Sequence, residues 1–401
     1  MNMIPATPVD PGRRAPIIDV LRGWALLSVV LVNFAIFFSY GIAWPGIHDL
    51  RSSVLQSIVQ IVFLTKGWTM LSFLFGYGFS VLMQKVKATQ KHPYLFFSWR
   101  MALLLLIAMF NSAIYYGDIL KDYVILGMVI LCVSKFGEKA YLRLAAVCFM
   151  LVPVLIPWSQ HVGLHNPVAE PDLALYSSHN LSDVLKYSWL SGLHTVLSFP
   201  KYFDWNFVML VCGLLGAYAH RVHIFESAAT NRKLFRNTFF VAIAVVVALG
   251  IFHQLDVSMK WGVDQVFAME RWFQITQAAV FGSVLCWLYS SGRLRIAFQS
   301  LESIGKMTLT NYLLQNILAL LLFSGLGLGL LHRTSYAFTV EIAAVVFVVQ
   351  VFFSHWWLSY FRFGPVEWLW RCLSYGRWLP NMRPVYGIEN FANSVDTRSP
   401  T

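Results

Sequence analysis

The sequence predicts an all-α fold, a polytopic membrane bundle of about ten transmembrane helices with both termini in the cytoplasm. Three observations predict it. Of 401 residues, 58% are hydrophobic and only 12% charged, roughly half the charged share of an ordinary soluble domain. The apolar residues gather in runs, most of them near the ~20 residues a helix needs to cross a bilayer. The segments between runs alternate in Lys and Arg content, and cytoplasmic loops are the basic ones.

The runs fall at 17–40, 54–83, 100–117, 119–134, 141–157, 204–222, 235–253, 266–289, 306–330 and 337–361. The first is too long for the apolar region of a secretory signal and lacks a small-residue cleavage site, so it is expected to remain as the first span. The fourth is short and follows the third across Tyr115-Tyr116-Gly117-Asp118, which predicts a helical hairpin. Segment 158–203 leans acidic through Glu170, Asp172 and Asp183, is expected on the outer side, and has room for an interfacial helix near Val184 to Leu197. Basic clusters mark the other side: Arg13 and Arg14, then Lys85, Lys87 and Lys91, then Lys135, Lys139 and Arg143. Arg221, Arg232, Lys233 and Arg236 form the next, followed by Arg293, Arg295 and Lys306, and by Arg362, Arg371, Arg377, Arg383 and Arg398. The chain therefore divides into a cytoplasmic tail at 1–16, one transmembrane domain at 17–361, and a cytoplasmic interfacial segment and tail at 362–401. The tail is expected to fray after Trp378. No repeat relates the two halves.

The net charge of +11 would suggest nucleic acid in a soluble chain, but here the cations serve to orient spans, and nucleic acid is not an expected partner. Cys132, Cys148, Cys212, Cys286 and Cys372 have no metal-ligand spacing, and four of them sit in apolar runs as small hydrophobes. No metal site is expected. Nucleotide-binding loops, a dinucleotide fingerprint, a nucleophile elbow and a zinc-protease motif are all missing from the sequence.

Charged and amide side chains inside spans are expensive, so they are the candidates for function. The first span carries Asp19 and Arg22, three residues apart and able to pair, and Asn33, eleven residues beyond Arg22. That interval is about 16 Å along a helix and returns to the same face. The second carries Lys66, which needs a carboxylate or water. Asp118 and Asp122, at the outer end of the hairpin, are candidate partners. Asn311 and Gln315 share a face of the ninth span with Thr308, and either glue helices or meet substrate. His48, in the first outer loop beside Trp44 and Asp49, is the histidine placed like a general base. Gly76 and Gly78 read as packing devices. The chain closes its last span with Gly364-Pro365-Val366-Glu367-Trp368-Leu369-Trp370-Arg371. Indoles at this density suit the headgroup level, and Glu367 and Arg371, four apart, can pair on one helix face.

Five stretches resemble the YeiB-like family of bacterial multi-spanning membrane proteins, a domain of unknown function. They are Ile18-Asp19-x-Leu21-Arg22-Gly23-x-Ala25, Phe73-Leu74-Phe75-Gly76-x-Gly78, Gly117-Asp118-Ile119-Leu120, Thr310-Asn311-Tyr312-Leu313-Leu314-Gln315, and the closing motif from Gly364 to Arg371. The Asp-x-x-Arg-Gly opening is also similar to the transmembrane acyltransferase superfamily. That resemblance implies transfer of an acetyl or other acyl group from a cytoplasmic donor such as acetyl-CoA to a glycan or other acceptor. It also implies a histidine base shortly after the first span with an asparagine near it, positions that fall to His48 and Asn33. YeiB-like proteins usually carry a histidine in the third span, where this chain reads Phe110-Asn111-Ser112. Asparagine cannot take a proton near neutral pH.

Three functions fit these readings. In a membrane acyltransferase of the bacterial inner membrane, Asp19, Arg22, Asn311 and Gln315 would bind substrate, and Asn33, His48, Lys66 and Asp118 would act at the acceptor. A permease or exporter of a small substrate would line a path with the same residues. A non-catalytic membrane partner would use them to satisfy one another. The bilayer is the common partner of all three, and the oligomeric state is not legible.

Overall fold

The computed structural model describes residues 15–38, 50–89, 92–161, 171–197, 199–226, 231–263 and 266–383. Helix α1 (Pro16–Val32) takes a proline in its first turn, where a missing N–H costs little, and winds on as π turns over Asn33–Phe38. Almost all of its residues are buried, Asp19 and Ser28 included. The first span in the chain is thus the central post of the bundle.

The expected second span is broken. It comprises α2 (Leu50–Ile58), π turns over Val59–Phe63, and then α3 (Lys66–Thr89). Thr65 sits at the break with φ +70°, a region that β-branched residues rarely enter. The break is held from both sides: Ser28 Oγ donates to the Phe63 carbonyl (2.7 Å) and Lys66 Nζ to the Gln60 carbonyl (3.2 Å). Carbonyls released from the helical ladder have nowhere else to go in an apolar setting.

The expected hairpin is α4 (Pro93–Ile114) and α5 (Leu120–Val133). Helix α6 (Glu138–His161) contains Pro153 and Pro157. Each proline orphans the carbonyl four residues earlier. The neighbouring segment supplies both missing donors: Trp272 Nε1 to the Phe149 carbonyl (2.7 Å) and Ala268 N to the Pro153 carbonyl (2.7 Å). The long connection holds α7 (Leu181–Leu197), which contains the expected interfacial helix and packs on α4 and on α8 (Phe199–Arg221). Helices α9 (Arg232–Met259) and α10 (Glu270–Ser290) pair with each other, and α9 buries little beyond Phe235, Ala242 and Asp256.

The helix of the expected ninth span is preceded by a separate one. Amphipathic α11 (Arg295–Lys306) buries Phe298 and Ile304 and exposes Ile296. A kink at Met307 leads into α12 (Thr308–Phe323), after which the chain turns back to α13 (Tyr336–Tyr360). Helix α14 (Pro365–Tyr375) follows, with Gly364 and Pro365 at its start. Of the tail expected to fray after Trp378, residues 384–401 lie outside the described residues, and the chain up to Arg383 is held in place. It returns along the end of α13, Arg362 N donating to the Asn381 carbonyl (2.7 Å) and Arg383 N to the Tyr360 carbonyl (2.9 Å). The described residues contain no strand, only an isolated bridge between Phe361 and Met382.

Each of the ten expected runs contains helix among the described residues. Among the described residues, five segments are long and apolar enough to cross a membrane: Pro16–Ile36, Leu50–Thr89, Pro93–Ile114, Arg232–Met259 and Tyr336–Tyr360. With 14 and 16 residues, α5 and α12 reach only about 21 and 24 Å.

Two crossings bring backbones into contact. A Cβ on Gly23 would overlap the Leu301 carbonyl of α11, and one on Gly305 would overlap the Asp19 carbonyl of α1. At the α3–α8 crossing, Gly76 faces Gly213 and Gly216 faces the Phe73 carbonyl in the same way. Small residues permit this approach, which is where helices in lipid gain their packing energy. Gly23→Ala should therefore cost at least about 1–3 kcal/mol and lower the thermal unfolding midpoint of the detergent-purified protein. Gly250→Ala, in α9 with nothing within 4 Å, should be neutral or stabilise by up to about 1 kcal/mol. Equal midpoints for the two variants would contradict the backbone-contact account.

Candidate functional site

A cavity of about 370 Å³ lies between α1, α3, α4 and α12 and has its rim at the end of the bundle that carries the basic segments. Arg22, Arg100, Lys306, Arg362 and Arg371 stand on that rim with the carboxylates Asp19, Glu226 and Glu367. The wall is apolar, formed by residues such as Leu26, Leu71, Leu74, Phe79 and Leu104, and Ile119, Leu120, Tyr123 and Tyr312 close the far end.

Each rim group is placed by its neighbours. Arg22 pairs with Asp19 (3.0 Å) one turn earlier, and its guanidinium passes Gly78 so closely that a Cβ there would stand 3.2 Å away. Gly78 thus makes room for the arginine, whereas Gly76 is a packing contact. Arg100 lies flat on the Trp370 ring (3.7 Å) and donates to Ser374 Oγ (3.2 Å), while Trp370 Nε1 donates to the Arg100 carbonyl (3.2 Å). The Arg371 guanidinium lies over Phe363 (4.2 Å), and Lys306 pairs with Glu302 (2.6 Å). His220 also reaches the cavity, with Ser80 Oγ 3.3 Å from its Nδ1 and Glu226 3.9 Å from its Nε2.

The closing motif has a longer reach than a pair within one helix. Glu367, expected to pair with Arg371, directs its carboxylate across to the start of α12. It accepts from Leu309 N (2.6 Å), Thr310 N (3.0 Å) and the Thr310 hydroxyl. A carboxylate at these free N–H groups complements the helix dipole. Gly364 has to be glycine here, since a Cβ would strike the Glu367 carboxylate and crowd the Thr310 hydroxyl. Pro365 opens α14, and Trp368 Nε1 donates to the Leu379 carbonyl (2.7 Å), anchoring the returning tail.

Under the closed end lies a buried network centred on Asp118. Asn111 Nδ2 (2.7 Å), Ser112 Oγ (3.2 Å), Leu120 N (3.1 Å) and the Tyr312 hydroxyl (3.2 Å) all donate to its carboxylate. Asn316 Nδ2 donates in turn to Asn111 Oδ1 (3.0 Å). On the other side of Tyr312 is a second cavity of about 40 Å³, lined by Asn33, Thr65, Trp68 and Tyr115 among others. Ile119 and Tyr312 line both cavities and form the partition between them.

The sequence candidates are thus divided. Asp19, Arg22, Glu367, Trp370 and Arg371 meet on the large cavity, Asn33 lines the small one, and Asp118 braces the partition. Lys66 is buried at the helix break with its ammonium on Gln60, rather than on Asp118, whose oxygens are taken by other donors. Asn311 and Gln315 line neither cavity and face α13. Asn311 donates to Ser354 Oγ (2.9 Å), Gln315 donates to Gln350 Oε1 (2.8 Å), and Gln350 donates to the Asn311 carbonyl (2.9 Å). They are helix glue. His48 lies outside the described residues. Asn111 holds Asp118 and Asn316 together. Arg100, Asn316, Gln350 and His220 escaped the sequence reading, although Asn316 and Gln350 each break an apolar run. Among the described residues no group of three His, Cys, Asp or Glu is arranged to hold a metal ion.

Residues 219–377 match the model of a family described as a protein of unknown function, DUF418. The chain is 28% identical over 408 residues to the uncharacterized protein YxaH of Bacillus subtilis, covering 93% of this chain and 97% of that protein. It is 26% identical over 379 residues to the uncharacterized protein YeiB of Escherichia coli, covering 89% and 95%. Over most of its length the chain is thus similar to YxaH and YeiB, and its C-terminal part matches the DUF418 family, which is consistent with a YeiB-like protein. Its long apolar helices suit a lipid bilayer. No solved structure matches the chain. The DUF418 segment holds most of the cavity rim, from His220 and Glu226 through Lys306 and Arg362 to Glu367 and Arg371, and α1 and α4 supply Asp19, Arg22 and Arg100.

Glu367→Ala strands two N–H groups and a hydroxyl at the start of α12, so it should destabilise by about 1–3 kcal/mol. Glu367→Gln, which keeps one carbonyl acceptor, should recover part of the loss. Thermal unfolding in detergent checks this, and an alanine variant as stable as the parent would contradict the assignment of Glu367 to α12.

Proposed function

We propose that this YeiB-like protein is a multi-pass protein of the bacterial inner (plasma) membrane, with both termini cytoplasmic, that transfers an acyl group from a cytoplasmic donor to a small-molecule or glycan acceptor. One observation carries the reading: a single cavity joins a cationic rim to an apolar shaft that ends on a hydrogen-bonded partition. Such a shape suits a donor with phosphates at one end and an acyl group at the other, acetyl-CoA or a relative. Guanidinium groups at Arg22, Arg362 and Arg371 would take the phosphates in paired hydrogen bonds. The acyl carbonyl would lie toward Tyr312. An acceptor hydroxyl coming from the side of Asn33 would lose its proton through Tyr312 to Asp118 as its oxygen bonds to the acyl carbon, and the donor thiolate would leave and take up a proton. The positive-inside pattern supports the orientation, since the rim belongs to the basic end.

A second reading, a permease for a small substrate, is favoured by two observations. The two cavities share Ile119 and Tyr312, and the second span is broken at Thr65 beside them. Discontinuous helices next to a midway partition are a feature of carriers.

Calorimetry of the purified protein with acetyl-CoA should give saturable binding, weakened about tenfold or more in Arg22→Ala and Arg362→Ala, the loss of one charge-assisted hydrogen bond each. Acylation of an acceptor pool by the parent and not by Asp118→Asn would complete the case. Saturable binding with substrate flux in proteoliposomes and no acylated product would establish the permease reading instead.

A further inference from the structure

We infer that the large cavity is built for a phosphate-headed molecule carrying one long hydrocarbon chain. The inference rests on the donor-cavity reading for the position of the head, and concerns the chain that follows it. The charges of the cavity are confined to its rim, where Arg22, Arg100, Lys306, Arg362 and Arg371 outnumber Asp19, Glu226 and Glu367. Below the rim the wall is hydrocarbon and aromatic ring. Along α3 it runs from Leu82 to Leu71, and along α4 from Phe97 to Leu104. Eleven and seven residues of helix are about 16 and 10 Å. The pantetheine arm that separates the phosphates of acetyl-CoA from its thioester would bring two amides against that wall, whereas a chain of many methylenes would meet it throughout with nothing left unpaired.

The far end is closed, so the chain length is bounded. Ile119 and Tyr312 stand across it, Tyr312 pinned by its hydroxyl to Asp118 (3.2 Å) and contacted by Ile119 N (3.5 Å). The wall can adapt to a chain, because Met101 lies on it with its sulfur against Gly127, where a Cβ would come within 2.5 Å. A thioether with three rotatable bonds fits itself to irregular occupants. Two sources carry this chemistry: a long-chain acyl thioester of CoA, and a single-chain lipid phosphate from the bilayer.

The test is a chain-length series on the full-length protein in nanodiscs, with CoA, acetyl-CoA, octanoyl-CoA, palmitoyl-CoA and dodecyl phosphate as probes. Affinity should rise about fourfold per added methylene until the shaft is full, and then level off. Ile119→Phe, which shortens the shaft, should move the plateau to shorter chains. Leu71→Phe, halfway down the wall, serves as the second variant should the first fold poorly. Acetyl-CoA binding as tightly as palmitoyl-CoA would overturn the inference while leaving acyl transfer intact. A plateau that neither variant moves would also overturn it, since the chain would then be reporting partition into the bilayer. Dodecyl phosphate binding with no CoA compound bound would uphold the long-chain site and remove CoA as the donor.

Discussion

The carboxylate of Asp118 is the joint on which the arrangement depends. A buried carboxylate inside an apolar bundle is tolerable only if the protein itself supplies its hydrogen bonds. Meeting that demand draws three parts of the chain together: Asn111 and Ser112 at the end of α4, the first turn of α5, and Tyr312 of α12. Asn316 extends the set through Asn111. The consequence is positional. Tyr312 is fixed where it divides two cavities, so the same bonds that satisfy one charge also decide how far a ligand can enter from either side.

The remaining architecture follows the rule that no polar backbone group is left idle in an apolar setting. Where α6 loses two N–H groups to proline, Trp272 and Ala268 replace them. Where the second span breaks, Ser28 and Lys66 take up its carbonyls. Where α12 begins, Glu367 caps it from another helix. Glycine contacts at α1–α11 and α3–α8 then set the helices close enough for those side chains to reach. The cavity is the volume left between helices held apart by aromatic and branched side chains below that level.

Helix identity was legible because hydropathy and loop charge report burial in lipid directly. Helix facing was not, because an apolar helix reads alike whether protein or lipid surrounds it. The first span and α9 are both strongly apolar, yet α1 is buried almost throughout and α9 almost nowhere. For the same reason the sequence left Asn311 and Gln315 open between helix glue and substrate contact, whereas the structure ties both to α13 and puts Arg22 and Asp19 on the large cavity. The break at Thr65 left no mark in composition, since it needs neither glycine nor proline, and it moved Lys66 from within a continuous span to the first residue of a new helix. The role of Glu367 depended on Leu309 and Thr310, which lie 58 and 57 residues earlier in the chain. Spacing within one helix could suggest only Arg371.

The central claim is that the two cavities are reached from opposite sides and kept apart at Tyr312. Labelling with a membrane-impermeant maleimide tests it most directly, using Leu82→Cys in the large cavity and Asn33→Cys in the small one, each in a cysteine-free background. The account predicts that the Leu82→Cys protein reacts only when the reagent is on the cytoplasmic face and the Asn33→Cys protein only when it is on the outer face. Reaction of either position from both faces would contradict the partition and reveal a continuous path through the protein.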